Sequence, residues 1–278
     1  MPILPFFAFI LAFLLLPTLA IFRGALLDDH NQLTAQYMLK LLSAPYISPY
    51  ISTIEISIIT AVAGGLLGFF MAWAITLGGL PGSVRNATLS FCGVASNFAG
   101  LPLAFALAAT LGRNSLLVDA LSSIGINLYP DFSIYSVIGV CLAYTFFQIP
   151  FMVLIMTPAL DGLRVEWREA AFNLGANQSQ YWRFVTLPIL APSLLSAFAL
   201  LFANSFGAFA TAAILIGAGP GSLIIVSIAV SREFSSDITT NPHQGYALAV
   251  GMVIIVLVTI ILYSITRARA ERWRPRGT

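Results

Sequence analysis

Charge is what this chain has least of. Only 9% of its 278 residues are Asp, Glu, Lys or Arg, against roughly 25% in soluble domains. Mean hydropathy is +0.92. A water-soluble fold of this composition would expose large apolar patches, so the chain reads as an integral membrane protein in a lipid bilayer. Cysteine is scarce: Cys92 and Cys141 both lie inside apolar runs, which speaks against a disulfide framework or a metal cluster. The two histidines, His30 and His243, fall in polar connections and read as ordinary loop residues. No H-E-x-x-H or paired-carboxylate cluster supports a membrane-embedded enzyme. No G-x-x-x-x-G-K-[ST] loop is present to cradle nucleotide phosphates. A net charge of +2 suggests no nucleic acid. No repeat has a solenoid period, and no alternation suggests a barrel.

What is present is a series of long apolar runs. We read six spans, each long enough for a hydrocarbon core of about 30 Å: Ile3 to Phe22, Ile54 to Leu77, Leu89 to Leu111, Phe132 to Leu160, Leu187 to Ile216 and Gly245 to Thr266. The first also resembles a signal peptide with Thr18-Leu19-Ala20 as its cleavage site. No Lys or Arg precedes it and it is long for a signal core, which favours a retained helix. Residues 23–53 are expected as a loop with a short surface helix. Gly64, Gly65 and Gly68 give the second span a small-residue face for close helix approach. Residues 78–90 are expected as a turn carrying Arg85, and 112–131 as a polar connection. Gln148-Ile149-Pro150 is expected to break the fourth span. Residues 217–244 read as an external connection with a helix over Ile224–Val230.

Six spans put both termini on one side. Nine of the thirteen Lys and Arg then lie on that side: Arg85, Arg164, Arg168, Arg183 and five in the tail from Arg267 to Arg276. The positive-inside rule predicts that this side is cytoplasmic.

The most polar stretch of any length, 161–186, lies between two spans. Leu160, Leu163, Trp167, Ala170 and Leu174 recur at helical spacing, with Asp161, Arg164, Arg168 and Glu169 on other faces. Gly175 suits a helix C-terminus that needs positive φ. Asn177 reads as an N-cap, with Gln180 completing a capping box. Leu187-Pro188 is expected to end the second helix and start the next span. The insert therefore reads as helix, glycine bend, helix. Ala170, Ala171 and Gly175 leave the bend open to a partner's backbone, with Trp167 and Phe172 as anchors. An interfacial helix lying on lipid headgroups would share the pattern.

Glu169-Ala170-Ala171, Gly175 and Leu187-Pro188 stand at the spacing of the EAA signature, and the chain resembles the permease subunits of binding-protein-dependent ABC importers over residues 53–266. The resemblance implies an all-α polytopic fold of six transmembrane helices, the type I importer permease (MetI-like) fold. Residues 1–52 form the first helix and its external loop, 53–266 the permease core, and 267–278 a basic cytoplasmic tail. A cytoplasmic coupling helix covers about 161–186. Trp167, Glu169, Ala170, Ala171, Gly175, Leu187 and Pro188 are implied as ATPase-coupling residues. Implied partners are a separate ABC ATPase dimer that binds ATP and Mg, a second permease chain, and an extracytoplasmic solute-binding protein. The chain itself would hold no cofactor and catalyse no reaction. Its home would be the bacterial inner membrane.

Segment order and the run Phe202 to Phe209 look most like the polyamine, sulfate and molybdate branch, which implies a polyamine or another small polar solute or oxyanion. Relatives often carry an acidic residue near the position of Ala208, which is neutral here and argues against a cation. Polar side chains at membrane depth are costly and usually face protein or water. Glu55, Asn97, Gln148, Asn204 and Ser205 are the pathway candidates. Glu55 also fits a residue reaching the interface, and Asn97 and Gln148 fit interhelical hydrogen-bond partners. An ion-gradient-driven transporter or channel is the alternative; that class usually shows intramembrane carboxylates or inverted repeats, and Glu55 is the only acidic residue in the assigned spans.

Overall fold

The computed structural model describes residues 4–28, 30, 32–127, 129, 132–216, 224–235 and 242–271. The described residues are almost all helical: α1 (Leu4–Ile10), α2 (Leu16–Leu26), α3 (Gln36–Lys40), α4 (Ala44–Leu77), α5 (Gly82–Asn97), α6 (Leu101–Leu111), α7 (Leu116–Ser123), α8 (Val137–Asp161), α9 (Val165–Asn173), α10 (Gln178–Tyr181), α11 (Leu187–Gly207), α12 (Ala210–Ile216), α13 (Val226–Ser235) and α14 (Pro242–Glu271). Six segments are long and apolar enough to cross a membrane: Pro5–Leu26, Ala44–Leu77, Leu101–Ser123, Val137–Asp161, Gln178–Gly207 and Pro242–Ile265. Many large apolar side chains point outward, Phe6, Phe13 and Leu19 among them, as expected where lipid is the solvent.

The chain forms two compact units, Met1–Ile54 with Gly219–Leu257, and Glu55–Ala218 with Val258–Thr278. In the first, Ala25, Tyr37, Ala247 and Val250 form the core. Gly24 is required there, since a Cβ would sit 2.3 Å from the Tyr246 ring. The Tyr50 hydroxyl donates to the Leu248 carbonyl at 2.5 Å, and the Val226 amide donates to Thr53 Oγ1 at 2.9 Å. His243 is not an isolated loop residue: its ring stacks on Tyr37 and Nδ1 lies 2.7 Å from the Gly24 carbonyl. Asp28 accepts the Gln32 and His30 amides, and the Gln32 bond first of all holds its carboxyl below the usual value.

In the second unit α4, α8 and α11 pack through small residues. A Cβ at Gly64 would meet Gln148 at 2.5 Å, one at Gly65 the Phe198 ring at 2.3 Å, and one at Gly68 Met152 at 2.6 Å. The small-residue face predicted for this span is therefore its packing face. Met152, Val153, Met156, Leu160, Leu190, Ala197 and Leu201 fill the core beside it.

Several expected boundaries move. Helix α4 starts at Ala44, ten residues early, and runs through Pro49. The expected turn at 78–90 is the start of α5, and Arg85 there pairs with Asp161 at the end of α8. Pro150 and Pro158 lie inside an unbroken α8, the most buried of the candidate spans. The third span breaks at Phe98–Gly100, where Gly100 has φ +76°; Pro102 stands in the first turn of the new helix, where its missing N–H costs nothing. Its long apolar segment is instead Leu101–Ser123, which brings Asp119 inside, so Glu55 is not the sole span carboxylate. The fifth span breaks at Ala208–Phe209. The expected external helix lies at Val226–Ser235. The sixth helix extends to Glu271, and tail residues Arg272, Arg274 and Arg276 lie outside the described residues.

A π turn over Leu11–Leu15 precedes Pro17, and another over Trp182–Thr186 precedes Pro188. Each widens the helix just ahead of a proline whose ring would press on the carbonyl four residues back. Leu187-Pro188 therefore does not end a helix: the second helix of the insert continues into α11.

Candidate functional site

The polar insert is built by local rules. Helix α9 ends in a Schellman motif: the Ala176 amide donates to the Ala171 carbonyl at 3.0 Å, and the Gly175 amide to Phe172 at 2.9 Å. Gly175 supplies the required φ, +83°. Two residues on, Asn177 caps α10. Its Oδ1 accepts the Gln180 amide at 2.9 Å, and Gln180 Oε1 accepts the Asn177 amide at 2.8 Å. The bend is thus shaped by hydrogen bonds among its own residues. The helical stripe read across 160–174 is two helices, since α8 stops at Asp161 and α9 starts at Val165.

No residue of α9 is buried. Glu169 and Ala170 are exposed and Trp167 is half-buried. The aromatic anchors are partly occupied within the chain: Arg164 lies over Trp167, and Phe172 meets Arg168 and Tyr181. The most exposed apolar groups of the insert are Leu174, Phe184 and Val165, at 89%, 68% and 66%, with Arg183 over one face of the Phe184 ring. Leu174 and Phe184 rim an open hollow of about 400 Å³ floored by Ala171, Gly175 and Ala176. A Cβ on Gly175 would meet nothing within 4 Å, so the bend is open on this face. Burying each of the three apolar groups in a partner would contribute about 1.5–3 kcal/mol. Leu187 and Pro188 are exposed at the start of α11, and Trp182 packs edge-on against Trp73.

The pathway candidates separate into two kinds. Gln148 and Ser205 are fully buried and joined through Thr60: Gln148 Nε2 donates to Thr60 Oγ1 at 3.2 Å, and Ser205 Oγ lies 2.8 Å from the same atom. Gln148 is thus the interhelical partner that its residue type suggested. Asn97, Asn204 and Glu55 are exposed. Asn97 bonds within its own helix, to the Gly93 carbonyl at 2.9 Å, so the interhelical reading fails there. Asn204 lies in the last turn of α11, not mid-span, because the helix stops at Gly207. Glu55 lies eleven residues into α4, about 16 Å from its start.

Sequence reasoning missed the groups that hold the two breaks. Thr211 Oγ1 accepts the Gly100 amide at 2.9 Å and donates to the Gly100 carbonyl at 3.1 Å. Tyr144 donates to the Ala208 carbonyl at 3.0 Å. Part-buried backbone released where a helix stops needs partners, and these side chains supply them. A lone hydroxyl in an apolar run carries no sign of which distant carbonyl it will meet.

Known proteins are similar to this chain in sequence and in fold. The sulfate transport system permease protein CysT of Salmonella typhimurium is 29% identical over 271 residues, covering 95% of this chain and 89% of that protein. The thiamine transport system permease protein ThiP of Escherichia coli is 28% identical over 204 residues, covering 73% of this chain and 37% of that protein. The crystal structure of a bacterial ABC transporter that imports the acidic polysaccharide alginate has the same fold, with a TM-score of 0.69 at 14% identity, over 98% of this chain and 94% of that one. A family model matches residues 115–274, more than half of the chain. The chain therefore belongs to the binding-protein-dependent transport system inner membrane component family, the permease subunits of ABC importers.

Proposed function

We infer that this permease forms a solute pathway with a second permease chain, identical or homologous, and is driven through α9 and α10 by a separate ATPase dimer. ATP and Mg belong to that partner, and the chain itself catalyses nothing. Its termini and the insert face the cytoplasm, and a solute-binding protein delivers from the other side. Family membership sets aside the ion-gradient-driven alternative. The observation that carries the coupling role is the exposed bend. Its shape is held by hydrogen bonds among its own residues, its glycine is uncovered, and apolar Leu174, Phe184 and Val165 are highly exposed on a polar segment.

The solute proposed is a small oxyanion, with sulfate first. The sulfate permease relative covers nearly the whole chain. Of the exposed pathway candidates Asn97 and Asn204 are neutral and Glu55 is acidic. The neutral pair and Ala208 suit an anion better than a polyamine, and this reading sets Glu55 at the interface rather than on the solute. Gln148 and Ser205, being buried between helices, are supports rather than lining.

The test is reconstitution. The permease purified in detergent should bring an ATPase subunit with it. In proteoliposomes with its binding protein, ATP-driven uptake of sulfate should exceed that of thiamine and putrescine. Preferred uptake of putrescine would overturn the oxyanion, and uptake with no ATPase present would overturn the coupling role. Cysteine at Glu169 should react with an impermeant reagent only from the cytoplasmic side.

A further inference from the structure

Asn204 and Ser205 are adjacent, yet the first is exposed and the second fully buried. The cause lies at Thr60. A hydroxyl has one proton and two lone pairs. Thr60 Oγ1 lies 2.8 Å from the Ile56 carbonyl, to which it donates. Its lone pairs then take Gln148 Nε2 and Ser205 Oγ, so Ser205 must be the donor in its own contact. Three helices, α4, α8 and α11, meet at one saturated oxygen. Gln148 Oε1 is buried and takes no bond from this cluster. Gly64 is what admits Gln148 to this depth, because any Cβ there would collide with it.

Successive residues of a helix are about 100° apart. A rotation of α11 of that size would exchange Ser205 for Asn204 at Thr60. We propose that Thr60 is a positioning residue of the solute path: by holding Ser205 inward it keeps Asn204 outward, on the face that meets the solute. The role rests on the reading of Asn204 as a path residue. Valine at position 60 keeps the shape and removes the shared oxygen, leaving both Ser205 and Gln148 without it.

The complete importer, with its ATPase and binding protein, is reconstituted in proteoliposomes. In a Cys92→Ala, Cys141→Ala background, Asn204→Cys is labelled with a membrane-impermeant maleimide. Thr60→Val should change the labelling rate by at least about threefold, the shift that one interhelical hydrogen bond in a membrane supports, and Thr60→Ser should restore it. With native Asn204, Thr60→Val should lower the maximal uptake rate and leave half-saturation by loaded binding protein unchanged, since docking is elsewhere. Ser205→Ala cuts the same tie from α11 and carries the test if Thr60→Val does not assemble. A labelling rate indifferent to both variants overturns the positioning role even where uptake falls. Normal uptake by Asn204→Ala overturns the path reading instead, while the labelling result still judges what Thr60 does.

Discussion

The bend at 174–177 and the breaks at 98–100 and 208–209 both interrupt helices, and they do so by opposite means. At the bend the hydrogen bonds that shape it all close within six residues: a Schellman pair around a positive-φ glycine, and a capping box. At the breaks the partners come from far along the chain, Thr211 for Gly100 and Tyr144 for Ala208. A bend facing water needs only to be locally consistent. A part-buried break at the end of an apolar segment is shielded by its neighbours, and side chains of other helices supply partners there. The first interruption leaves an exposed bend, the element proposed to meet the ATPase. The second spends side chains on holding the bundle together.

The comparison breaks most visibly at Gly175. Gly175→Val forces a β-branched residue to positive φ, at a cost of about 1–3 kcal/mol. The bend should lose its shape, and ATP-driven uptake in proteoliposomes should fall more than about tenfold with the spans still inserted. Normal uptake would mean that the bend's geometry does not matter to coupling. Thr211→Val removes both bonds to a part-buried Gly100 and should destabilise the detergent-purified chain by about 1–3 kcal/mol. Thr211→Ser should recover most of the loss, measured by thermal unfolding. Tyr144→Phe loses one bond and should cost about 1 kcal/mol or less in the same assay. Asn177→Ala removes an exposed cap worth about 0.5–1 kcal/mol. It should speed amide exchange at residues 177–181 and leave the unfolding of the spans in place. Were Asn177→Ala to lower global stability more than Thr211→Val, the division between local and distant satisfaction would be wrong.

The legible parts of the chain are those where cause and effect lie close together. Gly175 and the Asn177–Gln180 box were readable because each motif is complete within a few residues. The Gly64, Gly65 and Gly68 face was readable because small residues at helical spacing serve one purpose in a membrane. Reading failed where a proline's effect depends on its surroundings. Pro150 lies in a continuous helix, Pro188 follows a π turn, and Pro102 follows a break. Among the pathway candidates, polarity alone did not separate buried supports from exposed groups.

The sequence alone determined the membrane class, from its poverty in charge, and the shape of the bend, from short-range hydrogen bonding. Only the tertiary structure decided which polar residues face inward. It put Gln148 and Ser205 on Thr60 and left Asn204 on the surface, because a helix residue's direction at depth is set by the neighbours it meets. Thr60 and Ser205 are 145 residues apart, and nothing in either local sequence names the other.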